Sequence, residues 1–261
     1  MEIKRNTVFV SNEFDAAGGA ADLQTQSLSV DDYVALGWRM MRLYDSAGYE
    51  QAVVAFRHAL ELDPGSVEAS AFLAETYSYW GFREELNGRE SQSYYDLSLN
   101  LAEQSVRLGM HQPESHRALS VALRRGKHAD AERSRSEILI AVDLRPDDAE
   151  TWYQYWRAFG YDVSDPSIHR ALELDPALCG AHNDLAAALV GKDRYPEALV
   201  HLQAALKINP RNSLVQYNLA MVLEHMGMGD KAIAFLRRAR QLHPGDPLLE
   251  TGWVSLGGGM S

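Results

Sequence analysis

Apolar and small residues along this chain recur in blocks, and each block ends in a proline. Leu172-Glu173-Leu174-Asp175-Pro176, Leu206-Lys207-Ile208-Asn209-Pro210 and Arg240-Gln241-Leu242-His243-Pro244 follow one another at intervals of 34 residues, with earlier copies at Leu60–Pro64 and Val142–Pro146. When the proline is counted as position 32, alanine recurs at position 27 (Ala59, Ala141, Ala171, Ala205, Ala239) and at position 20 (Ala52, Ala198, Ala232). Position 8 holds Ala74, Ala186 and Ala220, while the larger apolar residues fall at position 7 (Leu73, Leu185, Leu219) and position 11 (Tyr77, Leu189, Leu223). Small side chains at a crossing let two backbones approach, and larger ones around it fill the interface. Proline lacks an N–H and restricts the residue before it, so it stops the second helix. Each block therefore predicts a hairpin of two antiparallel helices.

These residues resemble the tetratricopeptide repeat family, whose pattern is W-x2-L-G-x2-Y, then A-x3-F, then P. The resemblance spans about 33–246 in six units: 33–66, 67–112, 113–148, 149–178, 179–212 and 213–246. It is carried by such stretches as Ala52-x3-Phe56-x2-Ala59 and Ala198-x3-Leu202-x2-Ala205. It implies an all-α, right-handed α-solenoid of antiparallel helix pairs over 31–246. Residues 1–30, with Ala16-Ala17-Gly18-Gly19-Ala20-Ala21 and no sustained period, read as a mobile or loosely docked arm. Residues 247–261 read as a short capping helix and flexible tail.

Unit 2 carries a polar insertion at 83–92, expected to be a longer loop or helix extension and solvated. Unit 4 is short, because Gly160-Tyr161-Asp162-Val163-Ser164-Asp165-Pro166 interrupts its second helix. Asp165-Pro166 reads as an N-cap followed by proline at the first helical position. Trp156 occupies the usually small position 8 of that unit, and its ring is expected to fill the space the truncated helix vacates. Trp152, Tyr155, Trp156 and Phe159, at i, i+3, i+4 and i+7, read as a core face.

A stack of such hairpins builds a concave surface lined by the first helix of each unit. Carried over from the family's positions, the resemblance puts Trp38, Phe72, Tyr79, Arg117, Arg124, Arg125, Tyr153, Gln154, Arg157, Asn183, Tyr217, Asn218 and Met221 in a partner-binding groove. Glu75, Asp184 and His225 lie on the same path. Arg117 and Arg124 share a helical face at i and i+7, with Arg157 facing them from the next unit. Residues 31–112 carry a net charge of −7 while 113–148 balance, so a basic island inside an acidic body is expected, suited to clamping a carboxylate or phosphate. Ordinary pairing of each arginine with Glu or Asp is the competing reading. The chaperone-binding carboxylate clamp of some relatives needs Lys and Asn at positions 5 and 9, and no unit here provides that pair.

Charge and composition narrow the function further. With 25 basic and 36 acidic residues the chain has a net charge of −11, which disfavours a nucleic-acid partner. One cysteine, Cys179, precludes an internal disulfide and fits a reducing compartment. No apolar run is long enough to span a membrane, and the start of the chain lacks a secretory pattern, so a cytoplasmic location is expected. The nine histidines form no H-E-x-x-H pair, and no glycine-rich phosphate loop occurs. No cofactor and no metal are expected. The sequence thus points to a non-enzymatic interaction scaffold holding a protein or peptide, with an acidic segment as the best match to the island. Self-assembly through the weakly capped C-terminal end, or service as a regulatory subunit of an enzyme or of a secretion or signalling complex, are the alternatives.

Overall fold

The computed structural model describes residues 28–257, and these form thirteen α-helices with no strand among them. Six antiparallel pairs follow in order: α1 (Val30–Met41) with α2 (Ser46–Leu62), α3 (Val67–Leu86) with α4 (Gln92–Leu108), α5 (Pro113–Ala122) with α6 (Ala131–Leu144), α7 (Ala149–Ala158) with α8 (Pro166–Leu174), α9 (Cys179–Val190) with α10 (Tyr195–Ile208), and α11 (Ser213–His225) with α12 (Gly229–Leu242). A final helix, α13 (Pro247–Ser255), packs on the last pair. The chain is an α-solenoid of helical hairpins. The arm expected over 1–30 lies outside the described residues as far as residue 27. Ser29 is the N-cap of α1, whose N-terminus it closes in a capping box with Asp32.

Local chemistry sets the helix ends. Asp45, Ser66, Asp130, Asp148, Asp165, Asn212 and Asp246 each accept a hydrogen bond from a backbone N–H of the turn that follows. Second helices stop one or two residues before Pro64, Pro146, Pro176, Pro210 and Pro244. The alanines at positions 8, 20 and 27 are all buried at the crossings, and Phe56, Leu202 and Leu236 are sealed beside them.

Unit 4 is built around Trp156. Its ring is fully buried, its Nε1 donates to the Asp162 carbonyl at 2.7 Å, and Tyr161 meets it edge-on at 5.1 Å. Asp165 caps the nine-residue α8 by accepting from the Ser167 N–H at 2.8 Å. The rest of the aromatic face departs from the sequence reading. Tyr155 and Phe159 stack at 4.4 Å, yet Phe159 remains exposed, with the Arg135 guanidinium of α6 over its ring at 5.6 Å.

The 83–92 insertion is half helix and half connection: α3 continues to Leu86, and a turn over 87–91 leads into α4 at Gln92. It is not a solvated segment throughout: Arg83 and Glu84 are buried. Arg83 reaches across the superhelix to the Ser213 hydroxyl and to Asp246 at 3.0 Å. Two further contacts span the same gap. Arg42 donates to Asp175 at 3.3 Å and to the Ala177 carbonyl at 3.2 Å, and Asn209 Nδ2 donates to the Leu43 carbonyl at 2.9 Å. The solenoid therefore curls until its first two hairpins touch its last three. At the C-terminal end α13 is short but docked: Leu249 is buried, Gly252 packs on Tyr217, and Arg240 grips Glu250 with two hydrogen bonds of 2.8 and 2.7 Å.

Candidate functional site

The inner wall is lined by the first helices, α1, α3, α5, α7, α9 and α11. Each places the side chains at its concave positions toward the axis, and because the solenoid is closed those side chains meet. Trp38 and Phe72 pack at 4.8 Å, and the Arg117 guanidinium lies 5.7 and 5.6 Å from their ring centres. Arg117 is only 3 % exposed; its Nε donates to Glu75 at 2.8 Å and its Nη1 to Asp148 at 2.9 Å. It is an internal ion pair, not the free cation the basic-island reading called for. The competing reading holds at this position, for a reason local to the fold: α3 and α5 bring Glu75 directly beneath it.

The remaining arginines differ among themselves. Arg157 pairs with Asp184 at 3.3 Å and lies over the rings of Tyr79 and Tyr153. Arg125 stacks on Phe82 at 3.9 Å with Glu85 at 3.7 Å, and its side chain is partly open. Arg124 donates to Gln154 Oε1 at 2.6 Å and, among the described residues, faces no carboxylate. Gln154 is itself fully buried and donates to Tyr79 Oη at 3.0 Å and to Glu150 at 2.6 Å.

Tyr153, placed in an open groove by sequence, is buried and donates its hydroxyl to Asp184 at 2.7 Å. Asn183 is buried as well and accepts from Asn218 at 2.9 Å. Tyr217, Asn218 and Met221, on α11, stay half-buried. Trp38, Phe72 and Tyr79 are also only partly covered, but their neighbours are this chain's own rings and guanidinium groups.

Electrostatics follow from this crowding. Burial pushes the Glu75 carboxyl up, to about 7, against the pull of Arg117. Burial also opposes the charge on Arg117, but Glu75, Asp148 and Glu150 outweigh it and hold the guanidinium protonated. Burial raises the Tyr153 and Tyr79 phenols well above their ordinary value, so both are neutral hydrogen-bonding groups.

Within the inner wall lies a cavity of about 60 Å³. Its walls include Tyr44, Tyr49, Arg83, Tyr153, Arg157 and Asp184. Gly180 is part of the wall: a Cβ there would stand 3.2 Å from both the Tyr44 and the Tyr153 hydroxyl oxygens. The cavity is large enough to hold water. Sequence reasoning missed Tyr44 and Arg83, since neither lies at a groove position of a unit; the polar insertion was the only mark left by Arg83. It also missed Tyr161, whose signal was the Gly160-Tyr161 break in unit 4. Among the described residues no group of three or more His, Cys, Asp or Glu side chains is arranged to hold a metal, and no helix is long and apolar enough to cross a membrane.

Residues 189–251 match the model of a family described as tetratricopeptide repeat. Comparison with curated proteins finds no match. Among solved structures, the Cut9–Hcn1 hetero-tetramer of the APC/C is similar at a TM-score of 0.62 and 14% identity, over 87% of this chain and 43% of that one. A human IFIT1 dimer with m7Gppp-AAAA is similar at 0.67 and 18% identity, over 84% of this chain and 51% of that one. Pseudomonas aeruginosa PilF is similar at 0.51 and 17% identity, over 87% of this chain and 97% of that one. This chain spans about half the length of the first two. At these identities the likeness is one of fold.

Proposed function

We propose that this chain, which matches the tetratricopeptide repeat model over residues 189–251, is a non-enzymatic scaffold that binds a segment of a partner protein along what its closed groove leaves accessible. The observation that carries this reading is the uneven filling of the inner wall. From α1 to α7 the concave positions are consumed by internal pairs such as Arg117 with Glu75 and Tyr153 with Asp184. On α11, Tyr217, Asn218 and Met221 are half-buried: Asn218 donates to Asn183, Tyr217 and Met221 pack toward α13, and the uncovered part of each leaves a ring, an amide and a thioether for a partner. Those groups suit an extended backbone with apolar side chains. Arg124, which faces no carboxylate among the described residues, adds a positive group past the end of α5, which favours an acidic segment in the partner.

RNA is the less favoured ligand, although the similar IFIT1 dimer holds m7Gppp-AAAA. Here the net charge is −11, and Arg117 is consumed by Glu75 and Asp148, so the inner wall lacks, among the described residues, the run of unpaired cations that a polyphosphate backbone draws on. Cys179 is a buried free thiol, in keeping with a cytoplasmic setting.

Affinity capture from a native lysate of the source cells tests the proposal. Wild-type protein and a Val200→Glu control, altered at an exposed site on α10, should retain one partner in stoichiometric amounts. Tyr217→Ala combined with Asn218→Ala should lose it. Equal recovery by all three proteins contradicts the reading. A second reading, self-association through α13, is favoured by Val254, which is 73 % exposed beside Trp253. Light scattering over a dilution series, with Val254→Glu as control, separates the two.

A further inference from the structure

Among the described residues, the guanidinium groups that meet across the inner wall have carboxylates beside them, with one exception. Arg117 has two, Arg157 has Asp184, Arg83 has Asp246 and Arg42 has Asp175. Arg124, just past the end of α5, has only the amide oxygen of Gln154 and, at 3.4 Å, the Gln154 main-chain carbonyl. The same Oε1 is shared with Arg157 Nη1 at 3.4 Å, so two cations converge on one neutral oxygen. Glu150 does not cancel the excess, since it lies on the other side of Gln154 and accepts from the amide nitrogen. Two positive charges and one carboxylate, Asp184, leave one cation uncompensated in a partly dehydrated place. Such a charge is costly unless something of opposite sign joins it.

The adjoining backbone points to the same spot. Tyr161 has φ 61, a left-handed conformation that side-chain-bearing residues seldom adopt. It is held there by its N–H donating to the Trp156 carbonyl at 3.2 Å and by the edge contact with the Trp156 ring. The conformation brings the Tyr161 hydroxyl to 3.2 Å from Arg157 Nε while the residue remains 37 % exposed. The Tyr161 hydroxyl thus meets Arg157, Arg157 and Arg124 share Gln154 Oε1, and Tyr161 is the most exposed of the three residues.

We propose that Arg124, Arg157 and Tyr161 form a binding site for a single oxyanion, a carboxylate or a phosphate, at the rim of the closed groove. The planar forks of two arginines match either anion, and the phenol adds a neutral donor. Arg157 stands at position 9 of its unit, one of the clamp positions, whereas Arg124 and Tyr161 lie outside them, and the site does not require the ligand to be part of a protein. Two further consequences of the uncompensated charge agree with it. Burial first, and then Arg157, pull the Arg124 guanidinium down to about 10, whereas Arg117 and Arg157 are raised. Burial works to raise the Tyr161 phenol, but Arg157 and Arg124 favour its phenolate and the net shift is downward.

The test titrates the full chain with inorganic phosphate and, separately, with glutarate, by calorimetry at constant ionic strength. Saturable binding of at least one anion is expected, and the arm that binds identifies the chemistry. Arg124→Gln should weaken that binding at least about tenfold, the loss expected for one charge-assisted hydrogen bond. Arg133→Gln, which alters an exposed pair with Glu103, should leave it unchanged. Absorbance titration of the tyrosines gives a second readout that needs no arginine variant: the bound anion should suppress the ionisation of one phenol, shifting it to higher pH, and Tyr161→Phe should abolish that change. The proposal is overturned if neither anion binds saturably, if Arg124→Gln binds like wild type, or if the phenol signal survives in Tyr161→Phe. An inorganic probe keeps this outcome separate from whether a protein partner exists.

Discussion

Arg117 illustrates how little a single position says about its own fate. Its Nη2 and the Glu75 Oε2 are buried without partners, so the pair is already imperfectly satisfied. Removing the cation alone would strand Glu75 and Asp148. Arg117→Met should therefore cost about 3–5 kcal/mol, measured by chemical denaturation. An unchanged midpoint would show that Arg117 is not the internal counter-ion described above. His116 supplies the pH counterpart. Its Nδ1 lies 2.6 Å from Glu137, and its Nε2 lies 2.9 Å from the Met110 carbonyl. The Glu137 hydrogen bond first, and the Met110 carbonyl after it, raise its pKa against the opposing effect of burial. A histidine whose folded pKa is raised adds stability that is complete below its unfolded value near 6.5 and is lost as pH rises through the folded value. Subtracting a His116→Gln stability profile from that of wild type should show this decline above about pH 6.5; a flat difference would rule it out. The i, i+7 spacing of Arg117 and Arg124 was legible from sequence. The two fates were not, since Glu75 belongs to another unit and its register beneath Arg117 depends on how α3 packs on α5.

At the scale of the element, the chain is far more readable. The alanines at positions 8, 20 and 27 and the recurring prolines act within one hairpin, so their meaning is local and survives translation into structure. The insertion read less well: Arg83 sits in a polar run whose helical continuation is visible only once Ser213 and Asp246 stand opposite it. Unit 4 was readable because its deficit and its compensation are neighbours. The missing turn of α8 leaves a space, and Trp156 fills it with a ring that also satisfies the Asp162 carbonyl. Trp156→Ala should lower stability by about 3–5 kcal/mol, read from thermal or denaturant unfolding. A loss below about 1 kcal/mol would mean the ring is not what supports the short hairpin.

The whole molecule carries the consequence that no single unit contains. A solenoid of hairpins is built from nearest-neighbour contacts, yet here side chains 130 or more residues apart in the chain form hydrogen bonds across the axis. Curvature accumulates over several units, and a sequence repeat reports each unit without the angle between them; the filled groove was for that reason invisible in the pattern. Closure also explains why the groove residues inferred from the repeat divide into an interior network and an accessible remainder on α11 and at the Arg124 rim. The most direct measurement places cysteines at Leu43 and Asn209, whose carbonyl and amide meet at 2.9 Å, in a Cys179→Ser background, and treats the purified chain with a short bifunctional maleimide. The closed superhelix predicts rapid, near-complete intramolecular cross-linking of these two positions. If they fail to cross-link while a control pair within α10 reacts fully, the ends of the solenoid do not meet and the account of the filled groove is wrong.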